Sequence, residues 1–198
     1  MVDTTRQLQV CVYCASSRSA DPVYRDVAQR LGIVLAQRGF RIVYGGGAVG
    51  SMGALADGAL SMGGHVVGIL PRFMSELEWG HSTLPELHLV EDLRTRKHLM
   101  LSKSNAVVAL PGGSGTLEEL LEAITMKRLG LFTGPIVLVN TRKYFDPLLE
   151  LLRRAVTERF MSERHLAMWS VRDQPEEVPD AIVEAASWSP DAIAFAAL

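Results

Sequence analysis

Three observations predict an α/β chain folded around a parallel sheet. Short apolar runs recur along it, most are followed by ten or more residues of helical spacing, and two of the joins are rich in glycine. Apolar runs without polar alternation belong to strands covered on both faces, so the helices must lie on both sides of the sheet. The expected architecture is Rossmann-like, a doubly wound parallel sheet with helices on both faces.

The first run covers residues 8–13 and ends in the small polar turn Ala15-Ser16-Ser17. Pro22 opens a helix, where its missing N–H costs nothing, with Val27, Leu31, Val34 and Leu35 on one face and Gly39 as its stop. Residues 41–44 form the second strand, and Gly45-Gly46-Gly47 leads into a helix over 51–62 closed by Gly63 and Gly64. Strands follow at 65–70 and 87–90, then a helix over 93–104 and a strand over 106–110. A helix over 116–129, a sixth strand over 135–139 and a helix over 145–159 complete the alternation. The tail adds a short strand around 168–171 and a helix after Pro175, whose first turn suits Glu176 and Glu177. Residues 71–86 show no period; an irregular stretch after a strand's carboxyl end commonly carries ligand contacts. A single domain over residues 1–198 is expected.

Composition narrows the function. With 20 Lys+Arg against 22 Asp+Glu there is no basic excess to drive nucleic-acid or anionic-membrane binding, so any phosphate must be held locally. No apolar run approaches the ~18 residues of a membrane span and the first ten residues lack a signal-like apolar segment, so a cytoplasmic protein is expected. A chain of 198 residues buries enough surface to fold without metal or disulfide. Cys11 and Cys14 have CxxC spacing, but in a strand an offset of three sends side chains to opposite faces. Two buried reduced thiols are expected, with no redox or zinc pair. His65, His81, His88, His98 and His165 show no metal-ligand spacing such as HExxH.

In an open parallel sheet the ligand crevice lies beyond the carboxyl ends of the strands. Pro111-Gly112-Gly113-Ser114-Gly115-Thr116 stands at such an end and opens a helix carrying Glu118, Glu119 and Glu122. Converging backbone N–H groups and the helix dipole suit a phosphate there. The alternative is a tight turn with a Thr cap and favourably placed carboxylates, which three glycines in four residues exceed. The turn at 45–50 matches GxGxxG, a weak signal. NAD is disfavoured because the next strand ends in Leu70-Pro71-Arg72 with no acid for a ribose hydroxyl, and ATP hydrolysis because the phosphate-binding lysine is missing. Turn geometry alone is the competing explanation. Arg94, Arg96 and Lys97 sit where the dipole of their own helix disfavours cations, which marks Arg96 and Lys97 as candidates for an anionic partner.

Arg96-Lys97, followed fifteen residues after Arg96 by Pro111-Gly112-Gly113-Ser114-Gly115-Thr116-Leu117-Glu118-Glu119, resembles the PGGxGTxxE signature of the LONELY GUY (LOG) family. The resemblance spans about residues 10–152 and includes the Cys14-Ala15-Ser16-Ser17 and Tyr44-Gly45-Gly46-Gly47 turns. It implies a cytokinin riboside 5′-monophosphate phosphoribohydrolase, a class whose relatives are often mislabelled lysine decarboxylases, acting on a nucleoside 5′-monophosphate without metal or other cofactor. It further implies Arg96 and Glu119 as catalytic residues, and Gly112, Gly113, Ser114, Gly115 and Thr116 as the phosphate loop with Lys97 in support. Ser16, Gly45, Gly46, Gly47, Glu78 and Thr125 complete the implied substrate contacts; Met74 and Trp79 read as packing residues, with contact to a base the alternative because they flank Glu78. A homodimer with active sites near its interface is also implied, for which Leu129, Leu131 and Phe132 offer apolar side chains. Competing functions are an AMP-preferring nucleosidase using the same residues and a non-catalytic nucleotide or cofactor carrier. The carrier has no need of Arg96 together with Glu119. A pyridoxal-phosphate lysine decarboxylase finds no lysine in a suitable context.

Overall fold

In a computed structural model describing residues 7–76 and 80–196, seven strands form one sheet in the order β4-β3-β2-β1-β5-β6-β7. They are β1 (Gln9–Tyr13), β2 (Arg41–Tyr44), β3 (Val66–Pro71), β4 (Glu86–Val90), β5 (Ala106–Ala109), β6 (Ile136–Val139) and β7 (Trp169–Arg172). Every neighbouring pair is parallel. The chain winds outward from β1 to β4, crosses back to lay β5 on the other side of β1, and winds outward again. The reversal between β1 and β5 is the switch point at which such sheets open a crevice.

Among the described residues seven α-helices accompany the strands: α1 (Pro22–Gln37), α2 (Gly50–Ser61), α3 (Arg72–Glu76), α4 (Leu93–Ser102), α5 (Ser114–Arg128), α6 (Asp146–Thr157) and α7 (Val178–Val183). Two cores result. On one face Val10 and Val12 of β1 pack with Leu31 and Leu35 of α1, Leu55 and Ala59 of α2 and Ile182 of α7. On the other, Cys11 and Tyr13 pack with Met100 of α4, Leu120 and Ile124 of α5 and Leu149 of α6. The sheet is thus covered on both faces, as its apolar strands require. Cys11 and Cys14 fall in different cores as free, buried thiols, and burial pushes both well above the usual thiol range. Among the described residues no helix is long and apolar enough to cross a membrane.

Among the differences from the sequence-based reading, three stand out. The aperiodic segment contains α3, whose five residues are too few to display a helical stripe. Helix α5 starts at Ser114 instead of 116, because its first two residues carry no apolar side chain to mark the start. Of the apolar trio after α5, Phe132 is buried and Leu131 is 67% exposed.

Helices α1 and α2 approach backbone to backbone. A Cβ on Gly32 would lie 2.1 Å from the Leu55 carbonyl oxygen, and one on Gly58 2.2 Å from that of Gln29. Gly58→Ala is therefore expected to lower unfolding stability by about 1–3 kcal/mol through overpacking, although helix propensity alone would raise it by about 1 kcal/mol. Urea denaturation reads the sign; a gain would show that the helices separate without penalty.

Candidate active site

Arg96 lies in the first turns of α4, whose N-cap Asp92 accepts a hydrogen bond from Thr95 N at 2.7 Å. From there its side chain runs inward over the carboxyl ends of β3 and β2. Its Nε donates to the Ile69 carbonyl at 3.1 Å and its Nη1 to Glu119 Oε1 at 2.7 Å. Glu119 is on the buried stripe of α5, with Thr116, Leu120 and Ala123. The two side chains are only 10% and 6% exposed. A cation that is poorly placed for its own helix dipole is thereby well placed for a carboxylate on another helix.

The glycines of the turn after β2 divide by purpose. A Cβ on Gly45 would sit 2.0 Å from Arg96 Nη2, so this glycine is the gap through which the guanidinium passes. Gly46 and Gly50 adopt φ of 76° and 64°, which glycine takes without strain, and a Cβ on Gly47 would press on Met52 Sδ at 2.8 Å. Fold geometry thus gives Gly45, Gly46 and Gly50 a reason of their own, whereas Gly47 faces only the flexible Met52 side chain.

The loop after β5 differs. Gly112 is required internally, because its Cβ would meet Thr116 Oγ1 at 2.2 Å. Gly113 and Gly115, by contrast, face open space: a Cβ at either would meet nothing within 4 Å, and neither has a positive φ. Gly113 is the N-cap of α5 and no side chain caps the helix, so the first N–H groups of α5 are offered to the crevice. Gly113, Ser114 and Gly115 are exposed while Thr116 is buried beneath them.

Burial pushes the Glu119 carboxyl above the ordinary carboxylate range, and the charge and hydrogen bond of Arg96 offset only part of that rise. The crevice floor therefore holds a carboxyl group able to exchange a proton nearer neutrality than a surface glutamate can.

The remaining candidates are spread out. Ser16 is exposed in the turn after β1, backed by Gly50. Lys97 gives its ammonium to Glu118 and, at 3.1 Å, to Glu122 of α5, and these carboxylates raise its pKa. Thr125 is exposed nine residues beyond Thr116 on α5, about 13 Å along the axis, with its hydroxyl donated to the Leu121 carbonyl at 2.8 Å. Within one chain it does not join the loop. Glu78 and Trp79 lie outside the described residues, and Met74 sits in α3. Two residues that sequence reasoning passed over are brought up to the loop after β5, one directly and one through the other. Tyr144, in the turn after β6, donates its hydroxyl to the Gly112 carbonyl, and the ring of Tyr24 meets that of Tyr144 edge-on at 6.3 Å. The position of Tyr144 past a strand's carboxyl end was the available signal.

Residues 52–182 match a family model described as "Possible lysine decarboxylase". The probable cytokinin riboside 5′-monophosphate phosphoribohydrolase LOGL2 of Oryza sativa subsp. japonica is 39% identical over 186 residues, covering 93% of this chain and 75% of that protein. The cytokinin riboside 5′-monophosphate phosphoribohydrolase LOG1 of Arabidopsis thaliana is 41% identical over 160 residues, covering 80% and 75%. Among solved structures, the molybdenum cofactor carrier protein of Chlamydomonas reinhardtii superposes with a TM-score of 0.71 over 91% of this chain and 98% of that one. At 19% identity the likeness is one of fold alone. The family match extends past the stretch spanned by the sequence motifs and includes α7 up to Ile182. With relatives near 40% identity over most of its length, the chain belongs to the LONELY GUY (LOG) family.

Proposed function

We propose that this protein hydrolyses the N-glycosidic bond of nucleoside 5′-monophosphates, taking cytokinin riboside 5′-monophosphates and AMP and releasing cytokinin or adenine with ribose 5-phosphate. The observation that carries this reading is the buried Arg96–Glu119 pair beside an uncapped helix N-terminus whose Gly113 and Gly115 the fold does not itself require. The names of the relatives near 40% identity point the same way.

The bond breaks toward an oxocarbenium-like sugar. A carboxylate near the anomeric carbon stabilises that charge and can take a proton from the attacking water, while the departing base gains one. Glu119 fits this role, and its raised pKa matches the need to accept a proton and release it again. Arg96 holds the carboxylate in place and favours its ionised form. The α5 N-terminus binds the 5′-phosphate through backbone N–H groups. Hydrolysis balances with water as the only co-reactant.

The protein acts as a homodimer in this reading. Helices α4 and α5 leave between them a groove of about 580 Å³, lined in part by Lys97, Leu101, Met126 and Phe132. Beside it, the outer face of α5 exposes Leu121 and Thr125. A second copy seated there would bring its own Thr125 toward the neighbouring substrate.

Incubation of the purified protein with AMP and with N6-isopentenyladenosine 5′-monophosphate should yield free base and ribose 5-phosphate in equal amounts. Glu119→Gln should lose about 10²–10⁴-fold in kcat. Near-normal turnover in that variant would remove Glu119 from the chemistry, and tight nucleotide binding with no turnover would make the protein a carrier.

Gly115→Ala should keep or raise the thermal midpoint, because glycine weakens a helix, while the KM for AMP rises about tenfold or more, as for one lost hydrogen bond to a charged group. An unchanged KM would place the phosphate elsewhere.

Removing Arg96 should raise the Glu119 pKa further above its unfolded value. The folded state then takes up a proton more readily, so the stability deficit of Arg96→Gln is greatest at alkaline pH and shrinks as pH falls through the folded pKa. Urea midpoints at pH 8 and pH 5 test the sign.

A further inference from the structure

We propose that Tyr144 is a positioning residue for the phosphate loop, orienting the Gly112–Gly113 peptide through its hydroxyl; this rests on the reading of that loop as the phosphate site. A peptide flanked by glycine on both sides is the least restrained in any loop, since neither neighbour has a Cβ to oppose its rotation. Among the described residues, the Tyr144 hydroxyl is the one hydrogen-bond donor to the Gly112 carbonyl. Because a trans peptide is planar, its C=O and N–H point in opposite directions. Drawing the Gly112 carbonyl toward Tyr144 therefore turns the Gly113 N–H away from the tyrosine and holds it there before any anion arrives.

The turn that carries Tyr144 is built at a cost. Arg142 and Lys143 are consecutive non-glycine residues with φ of 53° and 60°, a conformation that L side chains disfavour. Asn140 braces it: its N–H donates to the Arg172 carbonyl at 2.7 Å, its Oδ1 accepts from Phe145 N at 2.8 Å and its Nδ2 donates to Asp146 at 2.7 Å. Arg142 pairs with Asp21 at 2.7 Å and Lys143 with Asp173 at 2.9 Å. The outcome of this over-determined reversal is a tyrosine ring set edge-on to the fully buried Phe145 at 5.3 Å and to Tyr24 at 6.3 Å. With the ring fixed on two sides, its hydroxyl meets the glycine carbonyl of the adjacent β5 loop.

Tyr144→Phe keeps the ring and its packing and removes only the hydroxyl. The purified variant and the parent protein are compared for inhibition by ribose 5-phosphate, for KM and kcat with AMP, and for thermal midpoint. The expected result is a three- to tenfold weaker inhibition and higher KM, about the size of one neutral hydrogen bond, with kcat within about twofold and the midpoint unchanged. Unaltered ribose 5-phosphate inhibition and KM would overturn the proposal. So would a fall in kcat and midpoint at constant KM, which marks a purely structural tyrosine. If the parent protein turns over AMP yet is indifferent to ribose 5-phosphate, or neither binds nor hydrolyses any nucleoside 5′-monophosphate, the phosphate reading fails and takes the proposal with it.

Discussion

The site is organised by one ion pair that joins two helices on the same face of the sheet. Arg96 starts on α4, which packs against β3 and β4, and Glu119 on α5, which packs against β1 and β5; neither can be moved without displacing a helix. Taking two charges out of water is costly, and such a pair seldom adds net stability over apolar packing. Its presence at 2.7 Å in an interior of otherwise apolar strands is therefore best understood through what it does, not what it stabilises. Much of the surrounding sequence serves it. Gly45 leaves room for the guanidinium, the Ile69 carbonyl receives its Nε, and Asp92 caps the helix that delivers it.

The two glycine-rich turns look alike in sequence and differ in physics. In the turn after β2, left-handed φ values and close approaches give Gly45, Gly46 and Gly50 a reason within the fold. In the loop after β5, two glycines have neither reason, and an exposed helix N-terminus lies beside them. A glycine that the fold does not need is the more informative kind, since it keeps space and backbone polarity available to something outside the chain.

The sheet and its coverage were legible because strands buried on both faces write themselves as apolar runs, as in residues 106–110 and 135–139. The partnership of Arg96 with Glu119 was suggested by a misplaced cation and a family signature, and the geometry joins them directly. What was illegible depends on distant neighbours. Gly45 owes its identity to a residue 51 positions away, and no local pattern records that. Lys97 carries the same charge as Arg96 one residue earlier, yet its ammonium goes to two carboxylates one turn apart on the outside of α5. Tyr144 is an aromatic residue in a turn, where composition has no period to betray it.

The contact between α1 and α2 has a mechanical side. Helices that touch through glycine, backbone against carbonyl oxygen at Gly32 and Gly58, cannot slide past each other as helices cushioned by long side chains can. Gly50 abuts Ser16 and Ser17, and Met52 N donates to the Ala15 carbonyl at 3.0 Å, which ties the two preceding turns together as well. The β1 and β2 sides of the crevice thus form one stiff jaw. The opposing side, α4 and α5, is joined through charged side chains instead, Arg96 with Glu119 and Lys97 with Glu118 and Glu122. Side chains that meet as ion pairs can change rotamer where backbone pressed on backbone cannot, so substitutions on α4 and α5 reshape the crevice with less disturbance of the fold than ones on α1 and α2.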